Sequence, residues 1–229
     1  LRDNQLLQHK YNLLNLFDKI ITCSDIFYKK ISSLKKIDCK IHYAPVVINE
    51  QEMSDSSSIT NIKMENFLLY VGLIKKEKGA RLLLKSFVEA YGCNSRVSLV
   101  MIGKVRDRRI VQDYSFHKNV FFIGEADHNK VLSYVKHSKM IVIPSFSEGV
   151  PRIALEAIFL KKSVLLPGNI PEFDKVCNKN IIKSHTTDYL SRKLTEDTPP
   201  CSSYNIERHY YLNSMKVYFD ALFDDKSNK

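Results

Sequence analysis

Short apolar runs alternate with amphipathic stretches through the middle of the chain. Five runs have the length of strands, at residues 67–71, 97–102, 120–123, 140–144 and 163–166. Four stretches carry apolar positions at helical spacing, at residues 80–91, 106–116, 129–137 and 152–160. Several of the strand-like runs are apolar throughout, which is typical of strands buried on both faces of a parallel sheet. The pattern therefore predicts an α/β fold with a doubly wound, Rossmann-like parallel sheet.

The segments on either side of this alternation predict smaller parts of the molecule. Residues 1–49 have the pattern helix, strand, helix, strand, with Ser24 or Asp25 as a helix cap and the second strand broken by Pro45. Residues 50–61 are polar and serine-rich, which predicts a linker before the main domain at 62–202. Two further helices are predicted at 188–194 and 204–223.

Composition narrows the classes of protein that fit this pattern. The chain has 229 residues, 44% of them apolar, and no apolar run approaches the roughly 18–20 residues that span a bilayer. The net charge of +10 favours anionic partners, but no arginine-rich tract or aromatic–basic motif indicates a nucleic-acid interface. Five scattered cysteines without a CxxC pair favour a reducing cytosol. The seven histidines show no ligand spacing, so we expect no bound metal.

The strand end at residues 140–144 carries the most informative chemistry. The strand runs into a loop that contains Gly149 and Pro151, and a helix follows from Arg152. Gly149 permits an unusual backbone angle and the close approach of a ligand. Pro151 suits a first helical turn, where its missing N–H costs little. Because ligands of doubly wound sheets bind beyond the carboxyl ends of strands, the free N–H groups of this helix start predict a diphosphate site.

Glu156 is the second polar feature of this segment. It lies in a helix that is apolar nearly all round, so we expect it to be buried. A buried carboxylate is costly unless it is paired or hydrogen-bonded. Two ribose hydroxyls would satisfy it, and so would an ion pair with Arg152, four residues earlier. The residue types leave both alternatives open.

Two other strand ends carry weaker signals. Gly72 closes a strand before the basic loop at residues 75–79, which could hold phosphate charge but also fits a solvated surface loop. Gly124 closes another strand, and Asp127 after it is a candidate helix cap. Three histidines are expected on solvated helix ends or faces: His117, His128 and His137.

Together, these segments resemble the family-4 glycosyltransferases, which have the GT-B fold of two Rossmann-like domains. The likeness covers residues 67–177. The sequence FLLYVGLIKKEKGARLLLKSF is similar to the family's first strand, lysine loop and helix, and VSLVMIG, NVFFIG and SVLLPGNIPEF follow in the family's order. Glu148 and Glu156 match the family's Glu-x7-Glu motif, here within EGVPRIALEA and after a strand that ends in proline and serine.

The resemblance implies a role for each matching residue. Glu156 would bind the ribose hydroxyls of a nucleotide, Lys78 would neutralise the diphosphate, and Glu148, the catalytic candidate, would lie near the transferred sugar. The other donor-binding candidates belong to the same strand ends and helix start: Gly72, Gly149, Val150, Pro151 and Arg152. The implied reaction transfers a sugar from a nucleoside-diphosphate sugar with retention of configuration, and it uses neither a metal nor a cofactor.

One residue departs from the family's pattern within the expected site. Leu73 stands where the family usually has an arginine, so one phosphate cation is absent unless Lys75, Lys76 or Arg152 replaces it. A lost charge-assisted contact is worth about 1.5–3 kcal/mol, which would weaken donor binding severalfold to a hundredfold.

Most of the family's N-terminal acceptor domain has no counterpart in this chain. Residues 1–49 resemble only the closing segment of that domain, and residues 203–229 resemble the terminal helix that packs back toward it. The chain begins with Leu1 rather than Met, so we expect the start of a longer protein to be missing. The chain would then be mainly the donor-binding half and inactive alone.

Two alternatives to a transferase stay open from the sequence. One is a non-catalytic nucleotide-sugar-binding remnant or subunit, and the other is a sugar-nucleotide epimerase of the same fold. The acceptor is not specified by any motif. The basic charge favours a lipid-linked sugar at the cytoplasmic face of a membrane, with peripheral association, as in polysaccharide or glycolipid biosynthesis.

Overall fold

The chain forms two compact units. One comprises Leu1–Ile48 and Glu207–Lys229, and the other comprises Asn49–Ile206. The structure, a computed structural model, describes residues 13–34, 37–55, 62, 64–92, 96–168, 170, 173, 180–200, 215, 216, 218 and 219. The predicted terminal helix at 204–223 falls outside these residues except at 215, 216, 218 and 219, which are helical.

The described part of the first unit contains a 3-10 helix at Leu13–Leu16 followed by a strand–helix–strand motif. Strand β1 (Lys19–Thr22), helix α1 (Asp25–Ser32) and strand β2 (Lys40–Tyr43) follow one another, and the two strands pair in parallel. Ser24 caps α1 because its side chain accepts a hydrogen bond from the backbone N–H of Phe27, which confirms the predicted cap. The predicted strand, helix and strand are therefore present in this unit, and most of the helix predicted before them lies outside the described residues.

The second unit is built on a six-stranded parallel sheet. Its strands are β3 (Phe67–Val71), β4 (Ser98–Ile102), β5 (Val120–Gly124), β6 (Met140–Val142), β7 (Ser163–Pro167) and β8 (Ile181–Ile182). Its helices are α2 (Glu50–Asp55), α3 (Ala80–Tyr91), α4 (Arg108–Tyr114), α5 (His128–His137), α6 (Arg152–Phe159) and α7 (Thr187–Thr195). The strand order is β5-β4-β3-β6-β7-β8, and all neighbouring pairs are parallel.

The strand order makes the sheet doubly wound. From β3 the chain moves outward to β4 and β5, and then returns to place β6 on the other side of β3. Because such crossovers are right-handed, the helices of the two halves lie on opposite faces of the sheet. The packing agrees, since α3 contacts α4 and α7 while α5 contacts α6. The fold class predicted from the apolar pattern is confirmed.

The central strands are buried on both faces, as their continuous apolar runs predict. All residues of β7, and four of the five residues in each of β3 and β4, are buried. In contrast, β5 lies at the end of the described strand order and is mostly half-buried. The apolar side chains of the strands pack against those of the helices, so the core lies on the sheet and leaves the strand ends for polar residues.

The structure corrects the prediction of a linker at 50–61 over its first half. Residues Glu50–Asp55 form α2, and Met53 within it is only 1% exposed. The side chain of Asn49 accepts a hydrogen bond from the backbone N–H of Gln51 at the helix start. One buried methionine gives no apolar period in the sequence, so the pattern missed this helix. Residues 56–61 lie outside the described part, and the domain boundaries stay predictions.

The segments that follow β3 and β6 touch through their backbones. Gly79 has φ = 71°, and a Cβ atom at this position would lie 2.0 Å from the carbonyl oxygen of Pro144. The backbone N–H of Phe146 donates to the carbonyl of Glu77 at 3.3 Å. Because β3 and β6 are also neighbours in the sheet, the basic loop is fixed against the loop that leads into α6.

Replacing Gly79 by alanine should test this contact. Gly79→Ala adds a clash with Pro144 to the cost of about 1–3 kcal/mol for a non-glycine residue at positive φ. The control is Gly124→Ala, which has φ = 80° but open space around its Cβ, so it carries the backbone cost alone. Urea unfolding of both variants should show the larger loss for Gly79→Ala, and equal losses would contradict the close contact.

Candidate functional site

Two of the predicted site residues meet at the point where β3 and β6 lie side by side. Lys78 lies in a short 3-10 helix (Lys76–Lys78) after β3, and Glu148 lies in the loop after β6. The ammonium Nζ of Lys78 donates to Oε1 of Glu148 at 2.8 Å. Their side chains are 32% and 17% exposed, so the pair is accessible from one side. Doubly wound sheets bind their ligands at this switch of strand order.

The loop that carries Glu148 is anchored at its base. Ser145 is 1% exposed, and its hydroxyl donates to the carbonyl of Ser147 at 3.0 Å. Nε2 of His185 lies 3.0 Å from the carbonyl oxygen of Ser145 and donates to it, because a carbonyl only accepts. The ring of His185 also stacks on Phe146 at 4.7 Å between centroids. No sequence pattern pointed to His185, which lies 40 residues after Ser145.

Helix α6 begins at Arg152, directly after the loop with Gly149 and Pro151, as the sequence predicts. Pro151 is the cap residue, one position before the first helical residue, and its side chain makes no capping hydrogen bond to the described residues. Val150 is 8% exposed. A Cβ atom at Gly149 would have no described atom within 4 Å, so there is open space above this residue. Gly149 does not use the left-handed backbone region that glycine permits, because its φ lies outside that region.

Glu156 is buried, as its helix predicts, and is 3% exposed. Nε of Arg152 lies 2.9 Å from its Oε1, so the ion pair predicted as one alternative is present. Nε2 of His128 hydrogen-bonds to the same oxygen at 2.8 Å. Among the described residues, no hydrogen bond or ion pair reaches Oε2. The contacts of Arg152 and His128 therefore both end on Oε1 of Glu156.

The position of His128 corrects a prediction. It was expected on a solvated helix end, but its ring joins two carboxylates, with Nδ1 3.6 Å from Oε2 of Glu52 and Nε2 at Glu156. Asp127 caps α5 by accepting from the backbone N–H of Lys130 at 2.8 Å, which fixes His128 as the first helical residue. A second histidine, His117, was also expected to be solvated and is buried instead.

The strand end at Gly72 is held by two hydrogen bonds, and the next residue, Leu73, is uncharged. The backbone N–H of Gly72 donates to the carbonyl of Ile102, and Tyr70 donates its hydroxyl to the carbonyl of Leu73 at 2.7 Å. Burial, with a smaller effect of the Glu148 carboxylate, raises the pKa of Tyr70, so this phenol stays a neutral donor. Leu73 is 37% exposed and adds no charge.

The candidates to replace the missing arginine are partly engaged. Nζ of Lys75 lies 4.0 Å from a carboxylate oxygen of Glu77, and Arg152 is held by Glu156. Within the described ranges, no group of three or more histidine, cysteine or acidic residues could hold a metal ion. None of the described helices is long and apolar enough to cross a membrane.

Solved structures that share this architecture include glycosyltransferases of the GT-B fold. Sucrose-phosphate synthase from Thermosynechococcus elongatus is 19% identical over 83% of this chain and 51% of its own, with a TM-score of 0.66. HepE (Alr3699) from Anabaena, solved with UDP and glucose, is 13% identical over 96% of this chain and 67% of its own, with a TM-score of 0.73. The UDP-forming trehalose-phosphate synthase from Burkholderia vietnamiensis is 12% identical over 95% of this chain and 61% of its own, with a TM-score of 0.72.

The family follows from the sequence match. A family model described as "Glycosyl transferases group 1" matches residues 53–195, so the chain belongs to the group 1 glycosyltransferases. No curated protein matches the chain by sequence. The chain spans between about half and two thirds of the length of the three solved structures. The resemblance carried by the two glutamates and the lysine loop is thereby confirmed at the level of family and fold.

The two partners of Glu156 should be coupled in stability. Arg152→Ala or His128→Ala alone should cost about 1–2 kcal/mol, because the other partner still holds Oε1. The double variant should lose more than the sum, since removing every partner of a buried charge costs about 3–5 kcal/mol. Urea unfolding in a Glu156→Gln background is the control, where the excess should disappear. Simple additivity with Glu156 present would contradict the shared oxygen.

Proposed function

We propose that the chain is the donor-binding half of a glycosyltransferase that moves a sugar from a nucleoside diphosphate to an acceptor. The main support for this proposal is the contact between Lys78 and Glu148 at the switch of strand order. Glu148 lies four residues before Arg152, where α6 begins without a side-chain cap. A cation, a carboxylate and free backbone N–H groups are what a nucleoside-diphosphate sugar requires from one end of a sheet.

Each group has a distinct part in the proposed reaction. Lys78 and the helix start stabilise the negative charge that develops on the departing diphosphate, as preorganised dipoles and charges do in other transferases. Glu148 lies near the transferred sugar, and Glu156 accepts the ribose hydroxyls through Oε2. The backbone of Gly72, Gly149 and Val150 gives close access to the ligand.

The proposed stereochemical course is front-face displacement with retention at the anomeric carbon. In such a displacement the leaving diphosphate and the incoming hydroxyl share one face of the sugar, so charge stabilisation on the diphosphate side matters most. Protein groups supply that charge here, and the proposal therefore includes no metal and no cofactor.

The names of the structural neighbours support the class of donor. HepE was solved with UDP and glucose, and the trehalose-phosphate synthase is described as UDP-forming. Both proteins are longer than this chain, which covers 67% and 61% of them. We extend the nucleoside-diphosphate donor to this chain and leave the acceptor to the part of the fold that it lacks. A lipid-linked acceptor at the cytoplasmic face of a membrane fits the net charge of +10.

Donor binding should depend on Lys78 and Glu156. Lys78→Ala should weaken binding of UDP or GDP by about 10- to 100-fold, since it removes one charge-assisted contact to the diphosphate. It should leave uridine or guanosine binding unchanged, whereas Glu156→Ala should weaken nucleoside and nucleotide alike. Calorimetry measures both effects. Lys85→Ala, on the exposed side of α3, is the matched control. Unchanged binding of UDP and GDP by Glu156→Ala would refute the site assignment.

Sugar transfer separates the transferase from its rivals. A longer protein that joins this chain to an N-terminal acceptor domain should transfer a sugar when it is incubated with sugar nucleotides and candidate lipid-linked acceptors. It should lose this activity in Glu148→Gln. The isolated chain should bind the donor without turnover. Isomerised donor without acceptor would favour an epimerase. Binding without any transfer by the longer protein would favour the non-catalytic module, for which Leu73 is the supporting residue.

A further inference from the structure

The histidine that contacts Glu156 has no assigned role in donor binding. His128 comes from α5, 28 residues before Glu156 in the sequence, and its Nε2 lies 2.8 Å from Oε1. An ionised carboxylate only accepts hydrogen bonds, so Nε2 is the ring nitrogen that carries the hydrogen. The contact is therefore a directed hydrogen bond onto one oxygen of a carboxylate that is 3% exposed.

The local structure holds the imidazole in place. Gly124 ends β5 with φ = 80°, Asp127 caps the next helix, and His128 is the first residue of that helix. The other face of the ring meets Glu52 from α2, whose Oε2 lies 3.6 Å from Nδ1. The imidazole is thus positioned from its own backbone, with a carboxylate on its far side.

Arg152 alone would hold Glu156 less firmly. The arginine side chain is 52% exposed and has several rotatable bonds, whereas the His128 side chain is 37% exposed and has only two. Both contacts end on Oε1, and a carboxylate held at one oxygen by two groups from different helices cannot turn about its own axis without breaking one of them. Its second oxygen then keeps a fixed direction.

We propose that His128 is a positioning residue that fixes the Glu156 carboxylate so that Oε2 meets the ribose hydroxyls, and that it thereby makes the site selective for ribonucleotides. The inference rests on the proposed nucleoside-diphosphate site. It adds a residue that the sequence motif does not contain, with Glu52 as the group behind it.

Selectivity for the ribose hydroxyls separates positioning from general stabilisation. The affinities of UDP and GDP are compared with those of their 2′-deoxy and 3′-deoxy counterparts by calorimetry. For the parent chain, the ratio of ribose-nucleotide affinity to deoxy-nucleotide affinity should be about 10- to 100-fold at the hydroxyl that donates to Oε2. This is the range for a hydrogen bond to a charged group. His128→Ala should lower the ratio to about 3-fold or less while leaving affinity for the deoxy nucleotide unchanged.

Two variants provide the conservative and the matched comparison. His128→Gln places an amide N–H where Nε2 lies, so it should restore most of the ratio. His137→Ala removes an exposed imidazole from the same helix, whose Nδ1 contacts only the carbonyl of Ser133 at 2.8 Å among the described residues, and should leave the ratio unchanged. Circular dichroism of each variant checks the fold before titration. If His128→Ala does not fold, the ratio is compared between His128→Gln, which keeps the N–H donor, and His128→Leu, which removes it.

The outcomes are distinct for the two proposals. An unchanged ratio in His128→Ala, or an equal loss of affinity for ribose and deoxy ligands, overturns the positioning role while leaving the donor site intact. A parent chain that binds UDP or GDP with no preference for ribose also overturns it. A parent chain that binds neither nucleotide overturns the proposed function, and this inference with it.

Discussion

The adjacency of β3 and β6 is the constraint on which the rest of the site depends. The two strands are consecutive in space but far apart in sequence, and the chain leaves them toward opposite edges of the sheet. The loop after β3 and the loop after β6 therefore lie beside each other, with no helix between them. Gly79 permits a backbone approach that any side chain would block, and this contact brings a lysine from one loop to a glutamate from the other. The charges at the site are consequences of the sheet order.

The fold was largely predictable from the sequence, because its signals are local. Continuous apolar runs predicted the positions of β3, β4 and β7. Capping residues such as Asp127 predicted helix starts to within one or two positions. The failures are short or depend on one contact. Strand β8 has two residues, and α2 has six, with Met53 as its buried apolar residue among those described. Both elements are too short to show a repeat of apolar positions in the sequence.

The candidate site was predictable in its motif and not in its surroundings. The spacing of Glu148 and Glu156 and the position of Lys78 are readable along the chain. The contacts of His128 and His185 join residues 28 and 40 positions apart, and a lone histidine at a helix start or after a strand has no distinguishing neighbours. The two interpretations of Glu156 looked exclusive in the sequence. They are compatible once the carboxylate is considered one oxygen at a time, because both protein contacts use Oε1.

The pair between Lys78 and Glu148 has a consequence for which anions can enter. In the absence of ligand each charge already has a partner at 2.8 Å, so the entrance does not present a bare positive charge to the solution. A simple anion such as inorganic phosphate that drew the lysine away would strand the glutamate without a counter-charge. A molecule that carries hydroxyl groups next to its phosphates can replace both ends of the pair at once. If the donor binds here as proposed, the resting pair would therefore disfavour small phosphates relative to a nucleoside-diphosphate sugar.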